Sequence, residues 1–321
     1  MCTQEKRISN WSQYNKALVQ RGSITFWISP EAQAEWLYQG ERKPGGVQIY
    51  SDHAILVAAM IKEVFSLPYR QTEGLVNSVM NLLGTDLKSP SYTQLCRRIK
   101  SLEIQFSRSA QKNKKNLCVL VDSTGIKVYG QQEWYGKKYD KKQRQLWRKM
   151  HISVDHSSQT ILSATLTDAY VHDAKFLETI LEEIDQVTQG KIDTVIGDGC
   201  YSLNMCHALA EQKHLKLLAP PHVNSLKQSE NKDFRNKPPT PQRDAAIDFV
   251  RGYPSHQEGL KAWKKQTNFH RRSLVETAMF RLKTNFGEIV KAKSIESQQQ
   301  IMKVRCAALN KMSALGMPNY A

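Results

Sequence analysis

Three acids draw attention by where they fall. Asp122 closes the apolar run LCVLVD and Asp198 closes IDTVIGD. Each is followed by small or turn-forming residues, Ser123-Thr124-Gly125 and Gly199. Short continuous apolar runs of this kind read as buried strands. In open α/β sheets, ligands gather beyond the carboxyl ends of strands. Two carboxylates brought there repel one another unless a cation lies between them. Mg²⁺ suits that role, because it takes oxygen ligands, keeps several waters and is completed by substrate phosphate. Two such ions about 3.5–4 Å apart are the arrangement for in-line displacement at phosphorus. The bland reading of each aspartate is a turn former after a strand.

The third acid is Glu276, in the segment FHRRSLVETAMFRLK. Val275, Met279, Leu282 and Phe286 recur at helical spacing and form an apolar stripe. One residue further round lie Phe269, Arg272, Glu276 and Lys283, so the acid sits at the edge of the buried stripe and not opposite it. Glu276 is therefore either half of an exposed i, i+4 pair with Arg272, worth roughly 0.3–0.5 kcal/mol, or an acid aimed at the end of a sheet. The pair alone leaves Lys283 and the two aspartates unexplained.

The elements that must position these acids follow from periodicity. LCVLVD, KMHISVD, ILSATLT, IDTVIGD and LKLLAPP read as strands, and HDAKFLETILEEIDQV and LNMCHALAEQKH as helices between the later ones. The chain from about Asp244 reads as helical after a polar stretch, 222–243. Three strands in succession, then alternating helices and strands, predict an α/β fold with a mixed sheet flanked by helices. Upstream, residues 1 to about 50 read as irregular, and 51–115 as helices ending in a polar linker, SAQKNKKN. The last helix of that region presents Tyr92, Thr93, Gln94, Arg97 and Arg98. With the helix before it, this is compatible with a helix-turn-helix whose Arg97 and Arg98 touch DNA. The expected domains are a helical DNA-binding region at 1–115, a catalytic domain at 116–290 and a helical tail at 291–321.

Charge points to the same kind of partner. Lys and Arg outnumber Asp and Glu by 46 to 30, a formal net charge of +16, which suits a polyanion, nucleic acid first. The excess concentrates in YGKKYDKKQRQLWRKM, where Lys137, Lys138, Arg144, Arg148 and Lys149 are interleaved with Tyr135, Tyr139 and Trp147. Cations hold a DNA backbone and aromatics stack on unpaired bases. The six cysteines form no CxxC pair, which excludes zinc-ribbon spacing. His151 and His156 lack partners at ligand spacing, no Ser-His-Asp arrangement is legible, and GDGCY lacks the spacing of a nucleotide loop. No apolar run reaches the roughly 18 residues needed to span a bilayer, so no membrane is expected. With no secretory signal legible, a reducing cytoplasm is the expected compartment.

Taken together, VDSTGIKVYG, RQLWRKMHISVD, IGDGCYS, HRRSLVETAMFRLKTNFG and KVRCAALNKMSALGMP resemble bacterial insertion-sequence transposases of the DDE class. The branch is the one with a Y-x2-R-x3-E-x6-K signature, matched here by Phe269-x2-Arg272-x3-Glu276-x6-Lys283. The resemblance covers nearly the whole chain and implies a ribonuclease H-like catalytic domain. It implies Asp122, Asp198 and Glu276 as catalytic metal ligands for two Mg²⁺ ions, with Mn²⁺ able to substitute. It implies Arg272 and Lys283, with Arg271 beside them, as contacts to DNA phosphates. The implied partners are double-stranded DNA at the element's terminal inverted repeats and at the target, in a complex at least dimeric, and the implied location is the bacterial nucleoid. Phe269 departs from the signature, keeping an aromatic ring and losing the tyrosine hydroxyl.

Overall fold

The computed structural model describes residues 7–41, 47–106, 116–128, 147–188, 192–231 and 237–319. Two compact units emerge, one of residues 106–283 and one that joins residues 1–105 to 284–321.

The 106–283 unit is built on strands β1 (Leu117–Val128), β2 (Trp147–Asp155), β3 (Ile161–Asp168), β4 (Ile192–Ile196) and β5 (Lys216–Leu218). They lie side by side in the order β3-β2-β1-β4-β5. β1, β2 and β3 form an antiparallel meander, while β4 runs parallel to β1, and β5 to β4. Order and direction make this the mixed sheet that the strand and helix succession predicts. The helix Leu177–Thr188 lays Leu177, Ile180, Leu181 and Ile184 into a core with Leu117, Val119, Val121, Leu162 and Val195. That spacing is one face of an amphipathic helix on a sheet. The helices Pro241–Arg251 and His256–Gln266 then lead to Phe269. They approach so closely that a Cβ on Gly259 would fall 2.2 Å from the Val250 carbonyl oxygen.

One detail of the sheet differs from the sequence expectation. Asp122 does not end its strand, because β1 continues to Val128. The parallel ladder with β4 stops at Leu120, so Asp122 still lies just beyond the carboxyl end of the parallel pair. The polar face of β2 is also buried, with His151, Ser153 and Asp155 at most 1% exposed. Its groups find partners across the sheet: Ser153 and Ser163 hydroxyls at 2.7 Å, and His151 Nε2 and Thr167 Oγ1 at 2.9 Å. Asp155 accepts from Ser157 and Ser158 and organises the β2–β3 turn.

In the other unit, the helices Asp52–Val64, Tyr69–Leu82, Tyr92–Arg98 and Ile295–Ala314 carry most of the buried surface. Ser51, Ser91 and Ser294 cap three of them through their hydroxyls. At Ser91 the Gln94 side chain answers in a capping box. Ser91→Ala is expected to cost about 1 kcal/mol of stability, read by thermal unfolding.

Residues 291–321 are not a separate tail. The helix Ile295–Ala314 buries Ile301, Met302, Val304, Cys306, Ala308, Leu309 and Met312, and its Arg305 donates to the buried Glu63 carboxylate at 2.7 Å. The stretch read as irregular holds helices Trp11–Arg21, Ile24–Trp27 and Pro30–Ala34. The first is hard to read because its apolar residues face water, Trp11 at 56% and Val19 at 72% exposed. The third begins with a Ser29 cap and Pro30, which in sequence look like a turn. The tight turn expected before Tyr92–Arg98 is absent too. Leu83–Ser91 is a long connection, and the short one, Phe65–Pro68, joins the two preceding helices. None of the described helices is long and apolar enough to cross a membrane.

Candidate active site

Glu276 stands on the helix Ser273–Phe286, whose Val275, Met279, Leu282 and Phe286 are all buried as the stripe requires. The helix before it closes at Gln266. Asn268 then takes a left-handed conformation, φ 52°, and starts the 3-10 turn Phe269–Arg272. Asparagine is among the few residues that adopt this region readily. Phe269 is 7% exposed and packs on Trp263, ring centroids 5.6 Å apart. Its ring is a core anchor for the turn that carries Arg272.

Arg272 makes the decisive contact. Its Nη1 donates to Asp122 Oδ2 at 2.7 Å, and its Nη2 pairs with Glu276 Oε1. One guanidinium thus joins a strand residue to a helix residue 154 positions later in the chain. Asp122 also accepts from the Ser123 amide at 2.8 Å. Burial pushes its carboxyl above the usual range against the pull of that amide and of Arg272, with the Asp198 charge adding to the rise. Asp198 caps the 3-10 turn Gly199–Tyr201 by accepting from the Cys200 amide at 2.9 Å. A Cβ on the preceding Gly197 would meet the Tyr201 ring at 2.5 Å, so only glycine lets that ring pack under the acid.

The structure therefore brings Asp122, Arg272 and Glu276 into direct contact and places Asp198 within electrostatic reach of Asp122. Lys283 is half-buried farther along the helix, and Arg271 Nε donates to the Asn268 carbonyl at 3.0 Å. Among the described residues, no three His, Cys, Asp or Glu side chains stand close enough to hold a metal ion. The Arg272 guanidinium lies between two of the three acids.

Sequence reasoning missed two neighbours. Tyr201 is fully buried, and its hydroxyl has no hydrogen-bond partner among the described residues. Burial raises its pKa, and Asp173, Asp198 and Asp122 raise it further. Asp173, in the 3-10 turn after β3, pairs with Lys149 at 3.0 Å beside the buried His151. Burial lowers His151 to about 4, so it is neutral at physiological pH. No local sequence pattern marks either residue, because the cluster is assembled across β2, the turn after β3 and the turn after β4.

The expected DNA contacts fare unevenly. Lys137, Lys138 and Arg144 lie outside the described residues. Arg148 is paired with Asp168, and Lys149 with Asp173 and the Val171 carbonyl. Trp147 is 37% exposed, its ring 5.3 Å from Lys127 Nζ. Arg98 serves the protein itself, donating to the Tyr50 carbonyl and to Asp52 at 2.6 Å, whereas Arg97 is exposed.

Comparison with known families places the chain. A family model described as "Transposase DDE domain" matches residues 113–311, and a second of the same description matches 19–131. The first covers more than half of the sequence, and the chain belongs to the DDE transposase family. Its activity is DNA transposition, cleaving DNA and transferring the cut strand. Among solved structures, the Drosophila P element transposase strand transfer complex is 11% identical, with 94% of this chain and 86% of that chain covered, at a TM-score of 0.31. The Mos1 strand transfer complex is 12% identical, with 74% and 81% covered, at a TM-score of 0.22. Likenesses this loose do not bear on the roles of residues.

Proposed function

We propose that Asp122, Asp198 and Glu276 are the metal-binding catalytic acids of this transposase, and that it acts on the terminal inverted repeats of its own insertion sequence. The observation that carries the reading is the Arg272 bridge between Asp122 and Glu276. Three regions far apart in sequence converge on one sheet end, and their donor set is all carboxylate oxygen. That chemistry fits Mg²⁺, with Mn²⁺ as a substitute, and the number of carboxylates suits two ions. The raised pKa of the half-buried Asp122, to which Asp198 contributes, is the electrostatic tension that a divalent cation relieves. Bound there by Asp122, Asp198 and Glu276, the ions would supply activation of the attacking oxygen and stabilisation of charge on the transferring phosphoryl group.

The chain's own residues do the positioning. β1 and the turn after β4 fix the two aspartates, and the Phe269–Trp263 contact anchors the turn that leads into the Glu276 helix. Arg272 releases its carboxylates when DNA arrives and turns its guanidinium to a phosphate, a ligand it binds in the same forked geometry. Lys283 and Arg271 add cations along the same helix and turn. The match to the Y-x2-R-x3-E-x6-K signature supports these assignments, and holding two ends at once calls for a dimer or larger complex.

Arg272→Ala is expected to separate the two roles. Mn²⁺ binding to the DNA-free chain, read by calorimetry, tightens several-fold because a competing cation is gone. Cleavage falls about tenfold or more, the scale of one charged hydrogen bond. Unchanged metal affinity would count against the exchange. The function itself is tested with DNA carrying the sequences that flank the gene. A pre-cut end with a free 3′-OH should be joined to plasmid DNA in Mg²⁺ and not in chelator. Absence of joining in both Mg²⁺ and Mn²⁺ would refute it.

A further inference from the structure

The unit formed by residues 1–105 and 284–321 contains a cavity of about 1120 Å³, far from neutral. Six Lys or Arg side chains line it against two glutamates. Its floor is already cationic. Glu63 is buried, with Lys62 at 2.6 Å and Arg305 at 2.7 Å, so two cations share one carboxylate. Around the opening stand Arg70, Arg97, Lys100 and Lys291, all exposed.

The walls also carry two tyrosines held in place by cations. Lys62 Nζ lies 4.8 Å from the Tyr69 ring centroid, and the Arg70 guanidinium 4.6 Å from that of Tyr92. Tyr92 is 37% exposed, so its ring is available to a ligand. Cations alone would suit the outside of a duplex. Concavity with aromatic rings does not, because a duplex keeps the faces of its bases stacked inside. A strand with unpaired bases offers both a charged backbone and free ring faces, and is bound by the combination seen here. Pockets of ~300–1,000 Å³ bury most of a drug-sized ligand, so this one has room for an unpaired nucleotide with its phosphates at the rim.

We propose that this cavity is a second DNA subsite, which seats an unpaired stretch of strand with a base against Tyr92 and phosphates against Arg97, Lys100 and Lys291. The inference rests on the chain being a DNA enzyme but not on the identity of its catalytic acids.

The test uses the whole chain in chelator, with fluorescent oligo-dT as the probe. Cys96 lies in the wall of the cavity and is exposed. Oligo-dT is expected to slow its alkylation several-fold, mapped by mass spectrometry, while duplex DNA of the same length slows it less. Tyr92→Ala should weaken oligo-dT binding several-fold, and Tyr92→Phe should bind like wild type. Arg97→Ala with Lys100→Ala should lower the log–log salt slope by about 0.7 for each phosphate that is no longer neutralised. Unchanged alkylation of Cys96, equal protection by duplex, or full binding by Tyr92→Ala would each overturn the subsite. A loss of cutting by Asp122 or Glu276 variants leaves these readouts untouched, so the two proposals fail separately.

Discussion

Asp122→Asn is expected to lower both DNA cleavage and strand joining by at least about 10³-fold while duplex binding is retained. The side chain is 15% exposed and in contact with Arg272, within reach of the Asp198 charge. Asparagine keeps the shape and a carbonyl oxygen, so the fold survives. Removing a half-buried charge whose pKa partial burial has already raised relieves the native state if anything. What disappears, on the proposed assignment, is an anionic metal ligand. Metal-ion stabilisation of a phosphoryl transition state is worth several kcal/mol, and each 1.36 kcal/mol is about a factor of ten in rate. DNA affinity depends on the summed basic surface, here a net charge of +16, and losing one acid cannot weaken it. Glu276→Gln should behave alike. Nicking and joining gels beside fluorescence anisotropy report both quantities. Substantial cutting by either variant would remove that residue from the catalytic set.

The second large effect concerns stability. Glu63→Ala is expected to destabilise the 1–105/284–321 unit by about 3–5 kcal/mol, because it strands a buried guanidinium. Arg305 is 7% exposed, and among the described residues its further partner is the Ile289 carbonyl at 3.2 Å. The pair also predicts a pH dependence. Burial alone would raise Glu63, but Lys62 and Arg305 together outweigh it and hold its carboxyl below the ordinary 4.5. A carboxylate depressed in the folded state contributes stability that is fully present above its unfolded value and is lost as pH falls through its folded value. Wild type should therefore lose stability as pH drops below 4.5, and Glu63→Ala should show a smaller drop. Hydrogen exchange of the Ile295–Ala314 amides reads this unit directly. Equal acid sensitivity in the two proteins would contradict the assignment.

The sequence made the acids legible because each is attached to a strong apolar pattern. Asp122 and Asp198 follow continuous strand runs, and Glu276 rides beside a stripe of four buried residues. Less was legible where tertiary structure overrides local pattern. β1 runs on past Asp122 through Ser123, Thr124 and Gly125, residues that read as a turn but pair with β2. Ser153 and His151 alternate like a solvent face yet are buried, because they bond across the sheet. The Arg272–Asp122 contact has no sequence signal, since the i, i+4 pairing with Glu276 already accounts for the arginine. Phe269 keeps the ring where the signature has tyrosine, and the structure shows the ring packed on Trp263. The Arg305–Glu63 pair likewise turns an expected tail into part of the 1–105/284–321 unit.

The most direct test replaces Mg²⁺ with Fe²⁺ in the DNA-bound chain and adds hydrogen peroxide with ascorbate, so that the iron generates hydroxyl radicals, which cut the protein backbone beside the metal. Cuts are expected close to residues 122, 198 and 276 together, all of them suppressed by excess Mg²⁺ and lost in Asp122→Asn. Cuts that miss the neighbourhood of Glu276, or that persist unchanged in Asp122→Asn, would show that these three acids do not share a metal site.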